Sequence, residues 1–130
     1  MREIKFRAWD LKTKKMHTAE NINFCGRKTV TVQYNPVKKI CLDSAILMQY
    51  TGVKDKNGVE IYEGDIIRGH TGRYKVDCVV RWSSGNCGFI AVPTITERTY
   101  LCLNPGSTKS YEVIGNIYEN PELVSNEADT

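Results

Sequence analysis

Long apolar runs are missing from this chain of 130 residues. The stretch Ala45-Ile46-Leu47-Met48 is as long as any, far short of the roughly 18 apolar residues that a membrane-crossing helix needs. No membrane association is expected. The opening residues, Met1-Arg2-Glu3-Ile4-Lys5-Phe6-Arg7, hold no apolar segment of the secretory type, so a cytoplasmic location is expected. Cysteine is present but unpaired in sequence. Cys25, Cys41, Cys78, Cys87 and Cys102 are odd in number and form no Cys-x-x-Cys pair. Histidine is scarce, and neither His17 nor His70 lies near a cysteine at ligand spacing. A zinc site needs closely spaced ligand pairs, because one turn must present two donors to the ion. No metal and no cofactor are therefore expected. Free thiols in a reducing compartment are the expected state.

Catalytic motifs are equally scarce. The chain has no phosphate-binding loop of the Gly-x-x-x-x-Gly-Lys-Ser/Thr kind, no Gly-x-Ser-x-Gly elbow and no His-Glu-x-x-His pair. Asp55-Lys56-Asn57-Gly58 lacks the further acidic ligands of a calcium loop. Spacing leaves open only a cysteine nucleophile brought together with His70 in space. The chain is expected to bind rather than to catalyse.

What is present is strand. Ile4-Lys5-Phe6-Arg7-Ala8-Trp9 alternates with period two, which gives a strand one buried face. Met16 to Phe24, Val37 to Leu42 and Tyr100 to Leu103 read as further strands. Thr29-Val30-Thr31-Val32-Gln33-Tyr34 is dense in β-branched and aromatic residues, and Asn35-Pro36 ends it. Asp43 or Ser44 opens one helical turn. Asn57-Gly58 predicts a type I′ hairpin, and Glu63-Gly64-Asp65 a second tight turn. Gly69-His70-Thr71-Gly72 reads as a loop. Tyr74 to Trp82 should turn Val76, Cys78 and Val80 to one side, and Gly88 to Val92 should return beside it. Tyr111 to Tyr118 carries Gly115, a candidate bulge. The expected fold is mainly β, with two closely packed β-rich parts. Residues 1–50 form a basic subdomain, residues 51–118 a small SH3-like or similar barrel, and residues 119–130 an acidic flexible tail.

Charge is divided along the chain. Residues 1–39 hold ten Lys/Arg against three Asp/Glu, residues 40–118 hold eight of each, and the final twelve hold four acids and no base. A front-loaded positive field attracts an anionic partner. The segment Arg68-Gly69-His70-Thr71-Gly72-Arg73 pairs glycines with flanking arginines, a composition that lets backbone approach a phosphate. Arg81-Trp82, with Tyr74 and Phe89, interleaves charge with rings on which bases stack. Lys5, Arg7 and Trp9 share one face of the first strand. Lys12, Lys14 and Lys15 add phosphate contacts in the turn that follows. The candidate nucleic-acid contacts are thus Lys5, Arg7, Trp9, Arg68, His70, Arg73, Arg81 and Trp82.

Three blocks of sequence resemble one known family. They are Ile4-Lys5-Phe6-Arg7-Ala8-Trp9-Asp10; Leu47-Met48-Gln49-Tyr50-Thr51-Gly52-Val53-Lys54-Asp55-Lys56-Asn57-Gly58, running on to Ile61-Tyr62-Glu63-Gly64-Asp65-Ile66-Ile67; and Tyr111-Glu112-Val113-Ile114-Gly115-Asn116-Ile117-Tyr118-Glu119-Asn120-Pro121-Glu122-Leu123. Together they resemble the YopX-type family of bacteriophage and prophage proteins, across nearly the whole chain. The resemblance implies a mainly β protein made in an infected or lysogenic bacterium. It implies nucleic-acid binding without supplying catalytic residues. The expected role is a non-enzymatic phage accessory binding protein acting on DNA or RNA. The alternative is an interaction module that recruits or modulates a host protein through its acidic tail, or that acts as a homo-oligomer through exposed strand edges.

Overall fold

The computed structural model describes residues 3–33, 37–71 (backbone only at 71), 73–95 and 99–124. Among them are eleven strands and three short 3-10 helices, so the mainly β expectation holds. All resolved strand pairings are antiparallel. The chain divides between Tyr50 and Thr51 into two compact units, and each has a buried cluster of its own.

The first unit holds β1 (Phe6–Asp10), β2 (Lys15–Asn23), β3 (Thr29–Val32), β4 (Lys38–Cys41) and the start of β5 (Ala45–Lys54). They lie side by side as β4-β3-β2-β1-β5. Alternation sets their faces. Val30 stands opposite Ile40 and opposite Ile22, so these three share a face. Val30 and Ile40 form the buried core with Ala8 and Val32, and Ala19, Ile22, Leu42, Ala45 and Leu47 pack against it. The helical turn expected at Asp43 or Ser44 is a 3-10 turn, Leu42–Ser44.

Turn chemistry joins these strands. Asp10 ends β1, and its Oδ1 accepts the Lys12 N–H at 2.9 Å. The Lys14 N–H reaches the Asp10 carbonyl at 2.8 Å, with Lys14 at φ 59°. This folded-back aspartate holds Lys12 and Lys14 outward in a tight loop. Between β2 and β3, Gly26 takes φ 63°, a left-handed conformation that glycine adopts without strain. Arg27 and Lys28 follow it, both exposed.

The second unit contains the rest of β5, which pairs with β6 (Glu60–Tyr62), and a five-stranded sheet. That sheet comprises β7 (Asp65–Thr71), β8 (Tyr74–Ser83), β9 (Gly88–Pro93), β10 (Leu101–Cys102) and β11 (Glu112–Asn116), in the order β10-β9-β8-β7-β11. Among the described residues no hydrogen-bonded pairing joins β10 to β11. β8 divides its residues as alternation requires: Cys78 and Val80 are buried, and Lys75 and Arg81 are exposed. Ile61, Ile67, Cys78, Val80 and Ala91 form the core. β11 shifts register between Val113 and Gly115, a bulge at the expected glycine.

Three local expectations are corrected. The Asn57-Gly58 turn is not type I′, because Gly58 has positive φ and Asn57 does not. Asp55 decides this: its Oδ1 accepts the N–H groups of Asn57 and Val59 at 2.8 and 2.9 Å, which winds the turn the other way. The expected loop at 69–72 is mostly strand. β7 continues to Thr71, which pairs with Tyr74, and Gly72 lies outside the described residues. Residues 119–124, expected within a flexible tail, form a turn and the 3-10 helix Pro121–Leu123. Asn116 organises this segment, its Oδ1 accepting the Tyr118 and Glu119 N–H groups at 3.0 and 2.8 Å. The remainder of the expected tail, 125–130, lies outside the described residues, as do Asn35-Pro36.

Candidate functional site

The first unit gathers its positive charge around a cleft of about 570 Å³. Lys12 enters from the β1–β2 turn, Arg27 from the turn after Gly26, and Lys38 and Lys39 from the edge strand β4. Asn23, Thr29 and Ser44 supply neutral polar groups, and Asp10 is the acid in the lining. Lys12, Arg27 and Lys39 are exposed. Asp10 is spoken for: its Oδ2 accepts from the Lys38 ammonium at 3.1 Å. One negative charge is thereby cancelled inside the cleft, and the other three cations face outward.

A second polar hollow of about 240 Å³ adjoins the first, sharing Asn23, Thr29 and Lys39 with it and adding Asn21 and Thr31. Strand register explains the shared wall. Asn21 stands opposite Thr31 and Asn23 opposite Thr29, while Thr31 stands opposite Lys39 and Thr29 opposite Cys41. These residues occupy the face turned away from Val30 and Ile40. A row of amide and hydroxyl groups, flanked by cations, matches the mixture that contacts phosphate and sugar oxygens.

Burial opposes ionisation of Asp10, which is 1% exposed. Hydrogen bonds from the Lys12 N–H, the Lys38 ammonium and Thr13 outweigh it and hold the carboxyl down at about 2. The group therefore stays charged in neutral solution and keeps Lys38 in place.

The sequence-predicted residues are scattered. Lys5 lies 3.3 Å from a Glu3 carboxylate oxygen and 5.6 Å from the centre of the Tyr50 ring. Arg7 is half-buried. Trp9 is 6% exposed and offers no open ring face for stacking, which corrects its place among the candidates. Arg68 is held by Asp77, Nε to Oδ1 at 2.7 Å and Nη2 to Oδ2 at 3.0 Å. This fork uses the donors that a phosphate would need. Gly69 is glycine for packing: a Cβ there would lie 2.6 Å from Cε2 of Tyr111. The 68–70 stretch is thus ladder strand and not a phosphate cradle.

His70 and Arg73 are exposed near the β7–β8 hairpin, with Tyr74 76% exposed beside them. Arg81 and Trp82 lie at the other end of β8, which puts the two groups roughly 25 Å apart at strand rise. Trp82 is half-exposed and meets Phe89 edge-to-face, with ring centres 5.1 Å apart. Sequence reasoning counted the charge of Arg27, Lys38 and Lys39 but did not name them as contacts. Their signal was pairing, since Arg27-Lys28 follows a glycine turn and Lys38-Lys39 opens a strand.

The Cys78 thiol is buried. Desolvation, with the Asp77 charge nearby, pushes it up to about 11 and keeps it protonated. Among the described residues no three His, Cys, Asp or Glu side chains cluster as metal ligands, and no helix is long and apolar enough to cross a membrane.

Fold and groove together define a mainly β protein of two antiparallel units, the first carrying a polar groove rimmed by lysine and arginine. The chain belongs to the YopX family: the model of the family described as YopX protein matches residues 5–125. This agrees with the three sequence blocks. The crystal structure of protein EF1440 from Enterococcus faecalis is similar at a TM-score of 0.67 and 26% identity, over 95% of this chain and 99% of that one. The X-ray structure of protein yopX from Bacillus subtilis is similar at 0.62 and 25% identity, over 95% and 98%. No curated protein matches the chain.

Proposed function

We propose that this protein is a non-enzymatic accessory binding protein of a bacteriophage or prophage, working in the bacterial cytoplasm, and that its partner is nucleic acid. One observation carries the reading: Lys12, Arg27 and Lys39 come from separate segments of the first unit and line one cleft beside a row of Asn and Thr side chains. Such a surface holds a sugar–phosphate backbone through charge and hydrogen bonds without reading its sequence. Family membership supports the setting, and the surplus of ten bases over three acids in residues 1–39 supports the sign of the partner.

Fluorescence anisotropy of labelled oligonucleotides tests it. Three or four phosphate contacts should lower duplex affinity roughly 40- to 150-fold between 50 and 200 mM salt, as counterions are released. The double variant R27A/K39A should flatten the log–log slope by about two, one for each phosphate contact removed. Salt-independent binding, or an unchanged slope in the double variant, would rule out this cleft as the site.

A further inference from the structure

We propose that the cleft of the first unit seats the phosphorylated end of a nucleic-acid strand, taking its terminal phosphomonoester in preference to unbroken backbone. The inference rests on the nucleic-acid reading above and narrows the ligand to strand ends that carry phosphate.

Charge sets the first requirement. Lys12, Arg27 and Lys39 are exposed and rim one hollow of about 570 Å³, the size of a small-ligand pocket. Asp10, the acid in that lining, is 1% exposed and already bonded to Lys38. Glu20 in β2 and Asp43 beside Ser44 line neither hollow. Three cations therefore face one ligand-sized space. A phosphodiester inside a strand brings a single negative charge and two unbridged oxygens. A phosphomonoester at neutral pH carries a charge of about −1.5 to −2 and three strong acceptor oxygens. The terminal group answers the surplus, whereas one internal phosphate leaves cations unused.

The neutral lining is set to donate. Asn23 Oδ1 accepts the Cys25 N–H at 3.0 Å, which leaves its amide nitrogen, a two-proton donor, for the cleft. The Thr29 and Ser44 hydroxyls line the same hollow and add donors. Phosphate oxygens are the acceptors that such a set requires.

A wall makes the cleft a place for an end. Lys38 in β4 reaches Asp10 at the end of β1 at 3.1 Å, and the Leu11 N–H reaches the Ser44 carbonyl at 3.0 Å. Asp10, Lys38 and Ser44 line the larger hollow and not the smaller one. These links close the part of the larger hollow that the smaller one does not share. A strand lying along Asn21 and Thr31 in the smaller hollow passes Asn23, Thr29 and Lys39 and then meets that wall. The smaller hollow thus holds the first sugar, and the larger one holds the phosphate that ends the strand.

Anisotropy with three internally labelled twelve-residue strands of one sequence tests this. One carries a 5′-phosphate, one a 3′-phosphate, and one hydroxyls at both ends. A phosphorylated strand should bind about tenfold tighter than the hydroxyl-ended one, the worth of one charge-assisted hydrogen bond. Which phosphate gains shows the polarity of the bound strand. N23D keeps an oxygen for the Cys25 N–H but places a carboxylate where the amide donated. R27A removes an exposed cation from a turn. Each should abolish the preference for phosphate. K56A removes an exposed lysine of the second unit and should retain it. Equal affinity for the three strands, or a preference that survives both N23D and R27A, overturns end recognition, while salt-dependent binding leaves the nucleic-acid reading standing. Displacement of the strand by equimolar inorganic phosphate also overturns it, since the smaller hollow would then hold nothing. Failure of the unaltered protein to bind any strand overturns both readings.

Discussion

Asp10 joins local turn, packing and charge in one side chain. Its carboxylate caps the β1–β2 loop through Lys12 and holds Lys38 from the strand at the far edge of the unit. Its folded-state value of about 2 lies below the roughly 3.9 of an unfolded aspartate. A depressed value means that the folded form favours the charged state. The stabilisation is therefore complete above about pH 4 and disappears as pH falls toward 2. Asp10→Asn should destabilise the protein by about 1–3 kcal/mol at neutral pH, since charge-assisted bonds to Lys12 and Lys38 weaken in a buried setting. Urea melts of both proteins should converge between about pH 4 and 2. A gap as wide at pH 2.5 as at pH 7 would show that shape, and not charge, gives Asp10 its effect.

At the level of elements, glycine and aspartate fix where strands meet. Asp55 accepts the Asn57 and Val59 N–H groups with Oδ1 and the Val113 N–H with Oδ2 at 2.9 Å, tying a hairpin to β11 across 58 residues of chain. Gly69 lets the Tyr111 ring lie on β7. Gly69→Ala should destabilise by about 1–3 kcal/mol, the usual effect of overpacking a close contact. Replacing Tyr111 by serine should remove most of that increment in a double-mutant cycle. An additive cycle would mean that the ring is not what demands glycine. The alternation of 74–82 was legible because one strand's faces depend on its own residues, and so was the Gly115 bulge. The role of Gly69 was not, since its partner lies 42 positions away and only the β7–β11 pairing brings the two together. Arg68 misled for the same reason: its partner Asp77 is set by β7–β8 register.

For the whole molecule, charge counts located the basic unit but not its groove. Lys12, Arg27 and Lys39 become neighbours only when three turns and an edge strand close on one another, and nothing in their spacing says so. Trp9 shows the converse. Strand alternation placed it beside Lys5 and Arg7, but alternation names a face without saying what covers it. The deeper division is between the cores. The Val30 cluster draws all its members from the first unit and the Val80 cluster draws all of its members from the second. Side chains that share no neighbour act independently on stability. Val30→Ala and Val80→Ala each remove buried methyl groups and should each cost about 1–3 kcal/mol. In native-state hydrogen exchange, Val30→Ala should release amides of β1, β3 and β4 while those of β7, β8 and β9 keep their protection, and Val80→Ala should do the reverse. Equal loss of protection in both sets from either variant would show that the two cores open as one cooperative body.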